Sequence, residues 1–214
     1  ISISSDVWRP PAPCAIVTVF PTNFAFLASL STYSFIINQH LGYPHAVYDL
    51  LLEAAERTGQ VVYFGIPYET DVLYLYVAHP IARMKELPYR EICGEHAPLC
   101  TTGIGKAILA NLPPEEWLSR LPEIIPAHTP QTITDKDRIL QELQSTRERG
   151  FAIDNCEHEL NVRCVGVPVY NARGALVAGI SSSGAVQVMT DRKVMECADI
   201  LMGITQRIKE RLYA

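Results

Sequence analysis

The chain has no excess of basic residues. Its 214 residues include 18 Lys and Arg against 23 Asp and Glu, a formal net charge of −5. Proteins that grip a nucleic acid turn a basic face to the phosphates, so this balance argues against DNA binding by these residues. CxxC pairs are also missing. Cys14, Cys93, Cys100, Cys156, Cys164 and Cys197 are scattered along the chain, which leaves no zinc-ribbon spacing. With 48% apolar residues a chain of this length buries a core without disulfide staples. The cysteines therefore read as reduced thiols and the compartment as the cytoplasm. The nucleophile elbow GxSxG, the metalloprotease HExxH and the phosphate loop GxxxxGK[ST] are all absent.

Charge is missing locally as well. None occurs between Arg9 and Asp49, yet this is not a membrane span. Pro10, Pro11, Pro13 and Pro21 break the stretch, and Thr22, Asn23, Ser29 and Ser31 interrupt the rest. Without a basic n-region it fits a signal peptide poorly. The prolines also disrupt compact helices, so no helix-turn-helix pattern is expected there. Residues 1–28 are set apart as an atypical segment, and residues 29–214 are read as one domain.

Orderly patterning begins after that segment. Residues 46–58 place Val47, Leu50, Leu51, Ala54 and Ala55 at helical spacing, with Gly59 as a C-terminal cap. Two β-rich runs, 60–66 and 71–78, flank the turn Pro67-Tyr-Glu-Thr70 and predict a hairpin. A third strand is expected over roughly 86–93. Residues 100–111 read as a polar, Gly-containing loop feeding a helix, and Pro114 opens a short helix after it. The spacing over 133–150 predicts a long helix with Thr134 as N-cap, Asp137 at N3 and Gly150 at the end. Strands follow at 161–170 and 175–183, joined by Asn171-Ala-Arg-Gly174. A final helix over 190–212 starts at Thr190. Its apolar stripe is Val194, Cys197, Ala198, Leu201, Ile204 and Ile208. Antiparallel strands with flanking helices make this an α+β domain.

Two groups of residues can carry chemistry. Thr101-Thr102-Gly103-Ile104-Gly105-Lys106 is a turn opening a helix, where backbone N–H groups lack intrahelical partners and the helix dipole favours an anion. The competing reading is that the glycines only permit tight packing. Ser181 and Ser183 are two apart on a strand and share a face, with Cys164 on the preceding strand and Asp154 upstream. These residues either converge on a small polar acid, or they are solvated serines on an edge and a core thiol. Glu157, His158 and Glu159 point in different directions and read as surface loop residues. Cys93, His96 and Cys100 have a spacing that holds zinc only with a fourth ligand from elsewhere, so no metal is assigned.

The motifs together resemble the C-terminal effector domain of the IclR family of bacterial transcription regulators. The resemblance runs from about residue 33 to the end. It rests on His96-Ala-Pro-Leu-Cys-Thr-Thr-Gly-Ile-Gly-Lys-Ala-Ile-Leu-Ala110, on Glu142-Leu143 through Arg149-Gly-Phe-Ala-Ile-Asp154, and on Glu157-His-Glu159. It continues in Arg163-Cys-Val-Gly-Val-Pro-Val169, Arg173-Gly174 and Gly179-Ile-Ser-Ser-Ser-Gly184. The resemblance implies a GAF-like (profilin-like) fold, a curved antiparallel sheet flanked by helices with a pocket on one side. It further implies a cytoplasmic repressor-type regulator rather than an enzyme, with no cofactor, no membrane and a homodimeric or homotetrameric state. DNA would be touched only through a winged helix-turn-helix of the parent protein. The effector would be a small carboxylate such as glyoxylate or pyruvate, or a larger acid including aromatic ones. The amides of Gly103 and Ile104, with Thr102 before them, would take the carboxylate, and Asp154, Cys164, Ser181, Ser182 and Ser183 would complete the pocket. Asp154 is an awkward neighbour for an anion and is expected to accept from a ligand hydroxyl or hydrated aldehyde, or to stand at the rim. A thiol enzyme or redox sensor using Cys164 or Cys156, and a dimerisation module without ligand, are the competing functions.

Overall fold

A computed structural model describes residues 43–81 and 92–212 of the chain. The segment 1–28, with Cys14, lies outside them. The described residues belong to one compact unit, Tyr43–Ala214.

Helix α1 (Tyr43–Thr58) leads into strands β1 (Val61–Tyr68) and β2 (Asp71–Ala78). Val47, Leu50, Leu51, Ala54 and Ala55 are all buried, as their spacing predicts, and Gly59 at φ +62° ends the helix by donating to Ala55 O. Tyr68 pairs with Asp71 across the two-residue turn, where Glu69 takes a positive φ. The next strand is β3 (His96–Pro98), paired antiparallel with β2. The strand expected at 86–93 falls mostly on residues 82–91, outside the described ones, and Ile92 and Cys93 are not in a strand. The pairing moves to His96–Pro98, where the chain has turned at Gly94, whose φ is +86°.

Helix α2 (Gly103–Asn111) is followed by two 3₁₀ turns, Pro114–Glu116 and Leu118–Arg120, and by helix α3 (Lys136–Arg149). The cap of α3 is Asp135 rather than Thr134: its carboxylate accepts from Arg138 N at 2.9 Å. Asp outranks Thr at this position, so the helix starts one residue later than expected. Gly150 closes it in the left-handed conformation at φ 84°. A short strand β4 (Ala152–Asn155) follows, which the sequence pattern did not reveal. The hairpin β5 (Val162–Tyr170) and β6 (Leu176–Ala185) and the long helix α4 (Asp191–Arg211) complete the chain. Thr190 caps α4 by accepting from Lys193 N, and its six stripe residues are buried.

The strands form a single six-stranded antiparallel sheet in the order β3-β2-β1-β6-β5-β4. Side chains alternate between its two faces. One face, with Val62, Phe64, Val165, Val167, Val169 and Ile180, packs on α1 and α4. The second core cluster, with Ile104, Ile108, Ile139 and Leu143, joins α2 and α3 to the other face. Helix α2 is buried on all sides over Gly103–Ala110 because it is sandwiched between sheet and α3.

Contact between α2 and β5 is close enough to require glycine. A Cβ on Gly166 would lie 2.2 Å from Gly103 O and 2.7 Å from Ile104 N. Both obstacles are backbone, so Gly166→Ala should destabilise the domain by about 3 kcal/mol through overpacking. Urea unfolding checks this; an unchanged midpoint would mean that α2 does not sit where the contact places it.

Candidate functional site

The face carrying α2 also carries a cavity of about 550 Å³. Sheet register explains which side chains reach it. Asp154 of β4 pairs with Cys164 of β5, Cys164 with Ser183 of β6, and Ser183 with Val61 of β1. A neighbouring row runs through Gly166, Ser181 and Tyr63. Because the side-chain period is two, Asp154, Cys164, Ser181, Ser183 and Tyr63 all face the cavity. Tyr63 and Tyr74 meet edge to face at 5.7 Å and form an aromatic wall.

The roof is the N-terminus of α2. Thr102, Gly103 and Ile104 line the cavity. The N–H groups of Gly103 and Ile104 fall in the first turn, where the helix offers no acceptor. Thr102 has a structural task in addition: its hydroxyl accepts from Gly105 N at 3.1 Å and donates to Pro98 O at 3.0 Å. Ser182, included with the pocket residues from sequence, points the other way. It is fully buried on the α4 face, its hydroxyl beside the Cys197 thiol without a hydrogen bond of normal geometry. The parity that turns Ser181 and Ser183 toward the cavity turns Ser182 away.

Along the first row the polar groups are linked. Ser183 Oγ donates to Cys164 Sγ at 2.9 Å, and the Cys164 thiol in turn lies against Asp154. Burial, with the Asp154 charge beside it, pushes the Cys164 thiol well above its ordinary range. A thiol so placed stays protonated, the opposite of what a nucleophile or redox sensor needs. Asp154 is 2% exposed rather than at the rim. Its Oδ1 accepts from the amides of Glu157 at 2.7 Å and His158 at 3.4 Å. Burial pushes the Asp154 carboxyl up to about 6, although the Glu157 N–H and the Lys106 charge pull it back down.

The loop after β4 also differs from expectation. Glu157 is 5% exposed, not a surface residue, and its Oε1 lies 2.5 Å from Nζ of the fully buried Lys106. His158 lines the cavity, shares a hydrogen bond of 3.2 Å with Thr101, and packs its ring against His128. Nothing in the local pattern announced the Lys106–Glu157 pair, because its members are 51 residues apart. Among the described residues no three His, Cys, Asp or Glu side chains are placed to hold a metal ion, and no helix is long and apolar enough to cross a membrane.

The fold has matches among known proteins. The family profile of the bacterial transcriptional regulator IclR C-terminal domain matches residues 41–210. The chain belongs to the IclR family. An IclR-family relative, the HTH-type transcriptional regulator BhcR of Paracoccus denitrificans, is 33% identical over 156 residues, covering 72% of this chain and 54% of its own length. The chain spans about half the length of the curated IclR-type relatives it matches. The crystal structure of Thermotoga maritima IclR superposes with a TM-score of 0.77 at 30% identity, covering 86% of this chain and 74% of that one. A double mutant of the inducer-binding domain of Acinetobacter PobR, in complex with 3-hydroxybenzoic acid, shares the fold at a TM-score of 0.69 and 21% identity, covering 75% of this chain and 94% of that one. The α+β architecture is the GAF-like fold of IclR C-terminal domains, and its relatives are transcription regulators rather than enzymes.

Proposed function

We propose that the cavity receives a small organic acid and that its occupancy controls DNA binding by the whole regulator, acting in the cytoplasm as a homodimer or homotetramer. The observation that carries this reading is the meeting of unpartnered first-turn amides of α2 with the Ser183–Cys164–Asp154 row inside one roomy cavity. Backbone N–H groups at a helix start attract a carboxylate. Ser181 adds a hydroxyl donor beside them, and Ser183 joins it on turning its O–H from Cys164 Sγ to the ligand. The aromatic wall of Tyr63 and Tyr74 suits the apolar remainder of an acid larger than two or three carbons. The 3-hydroxybenzoic acid held by PobR supports the same class of ligand. Control follows if the acid binds one domain arrangement more tightly than another, which shifts the population toward it.

Calorimetry with a panel of 2-oxo, 2-hydroxy and aromatic acids tests the reading. At least one acid should bind more tightly than millimolar. Ser183→Ala should then weaken it about fivefold, the worth of one ordinary hydrogen bond near 1 kcal/mol. Equal affinity in the variant would remove Ser183 from the contact set.

A further inference from the structure

Buried charges around Asp154 do not balance. Lys106 of α2 is fully buried, 2.5 Å from Glu157 Oε1 and 3.9 Å from Glu142 Oε1. Arg149 of α3 also holds Glu142, at 2.6 Å. Glu157 and Glu142 thus each have a cation, and among the described residues Asp154 has none within ion-pair distance. Facing Asp154 are Lys106 from α2, Glu157 and His158 from the loop after β4, and Cys164 from β5 with Ser183 behind it. Glu159 stands further along the same loop at the cavity. Two backbone N–H groups satisfy one oxygen of Asp154, but they do not neutralise a charge beside Glu157.

Gly103 and Ile104 of α2 line the same cavity as Asp154. A Cβ on Gly103 would sit 3.2 Å from Cys164 Cβ, and Cys164 is the cross-strand partner of Asp154. A carboxylate resting on the Gly103 and Ile104 amides therefore enters the neighbourhood of Asp154. Two carboxylates brought together in a desolvated site retain a proton between them.

We propose that Asp154 takes up one proton from solvent as the effector binds and, as the neutral acid, donates its O–H to the effector's carboxylate, the nearest cation, Lys106, being already paired with Glu157. This rests on the reading of the cavity as a receptor for organic acids. It also resolves why an acidic residue stands beside an anion site. The effector enters as the anion, the proton comes from water, and no other bond changes.

The direction with pH follows. Burial already holds Asp154 at about 6 in the empty protein, so at pH 7.5 it is mainly ionised. An arriving anion raises it further, so the complex binds more protons than the empty protein, and affinity falls as pH rises above about 6.

The test uses pyruvate, glyoxylate and 3-hydroxybenzoate with the full chain, by calorimetry in buffers of differing ionisation enthalpy. An acid that binds should carry close to one proton with it at pH 7.5, and its affinity should be about tenfold weaker there than at pH 6. Asp154→Asn keeps an oxygen for the Glu157 amide and gains an N–H donor. It should bind the acid at pH 7.5 at least as well as the natural protein, with no proton uptake and a flat pH profile. Binding without proton uptake in the natural protein overturns the proposal, as does equal uptake in Asp154→Asn. Loss of binding in Asp154→Asn at every pH also overturns it, because that is the mark of an ionised Asp154 accepting from a ligand hydroxyl. If none of the three acids binds, the probe is taken from the wider panel of 2-oxo, 2-hydroxy and aromatic acids; if none of that panel binds, the receptor reading falls, and this proposal with it.

Discussion

Replacing Lys106 with Met should destabilise the domain by about 3–5 kcal/mol, the usual result of removing one partner from a buried ion pair. The ammonium is fully buried and holds Glu157 at 2.5 Å, while Glu157 Oε2 is already buried without a partner. Met matches the apolar stem of Lys well, so little of the loss comes from packing. What remains is a carboxylate out of water with no countercharge beside it. For a domain of this size the melting temperature should fall by roughly 10 °C. Removing both charges separates the two contributions. Lys106→Met with Glu157→Leu should recover most of the loss, because no buried charge is left unpaired. A single variant that melts within about 2 °C of the natural protein, less than a 1 kcal/mol change produces, would show that the pair is hydrated in solution. A double variant as unstable as the single would show that the Glu157 backbone turn, not the charge, carries the effect.

That ion pair marks the boundary of what the sequence could disclose. Helices α1 and α4 were legible because their apolar residues repeat at helical spacing and their caps are local: Gly59 and Thr190 act within four residues of themselves. The β5–β6 hairpin was legible because Gly174 takes φ +80° in the turn that joins its strands. Strands of three or four residues have no such signature. β4 hides behind the cap of α3, and β3 is held by pairing with β2 rather than by its own pattern. The site divides in the same way. Period-two spacing put Ser181 and Ser183 on one face, and the same rule, applied strictly, excludes Ser182. Glu157 was misread as a surface residue, since its burial depends on Lys106 and no pattern within a few residues encodes a partner 51 positions away. Asp154, Cys164 and Ser183 could be nominated from sequence, but their alignment in one row depends on the register of three strands.

Gly103→Pro should cost an effector roughly 10- to 150-fold in affinity, since a hydrogen bond to a charged group contributes about 1.5–3 kcal/mol. The substitution removes one N–H and leaves the helix intact. Gly103 is the first helical residue of α2, where proline is favoured and no intrahelical hydrogen bond is lost. Thr102 before it sits at φ −99° and ψ 149°, the extended conformation that a following proline requires. Its hydroxyl caps Gly105 N, and that bond is untouched. The added ring does bring a Cβ to within 3.2 Å of Cys164 Cβ, a contact that the thiol-bearing side chain must relieve by a few tenths of an ångström. Gly103→Ala carries the same Cβ and keeps the N–H, so it measures that steric contribution alone. Affinity within about threefold of the natural protein in Gly103→Ala, together with a large loss in Gly103→Pro, assigns the carboxylate to the α2 amides. Equal affinity in the two variants would take the Gly103 amide out of the contact. The cavity would then hold its ligand by Ser181, Ser183 and the aromatic wall, with the helix start serving only to pack α2 against β5.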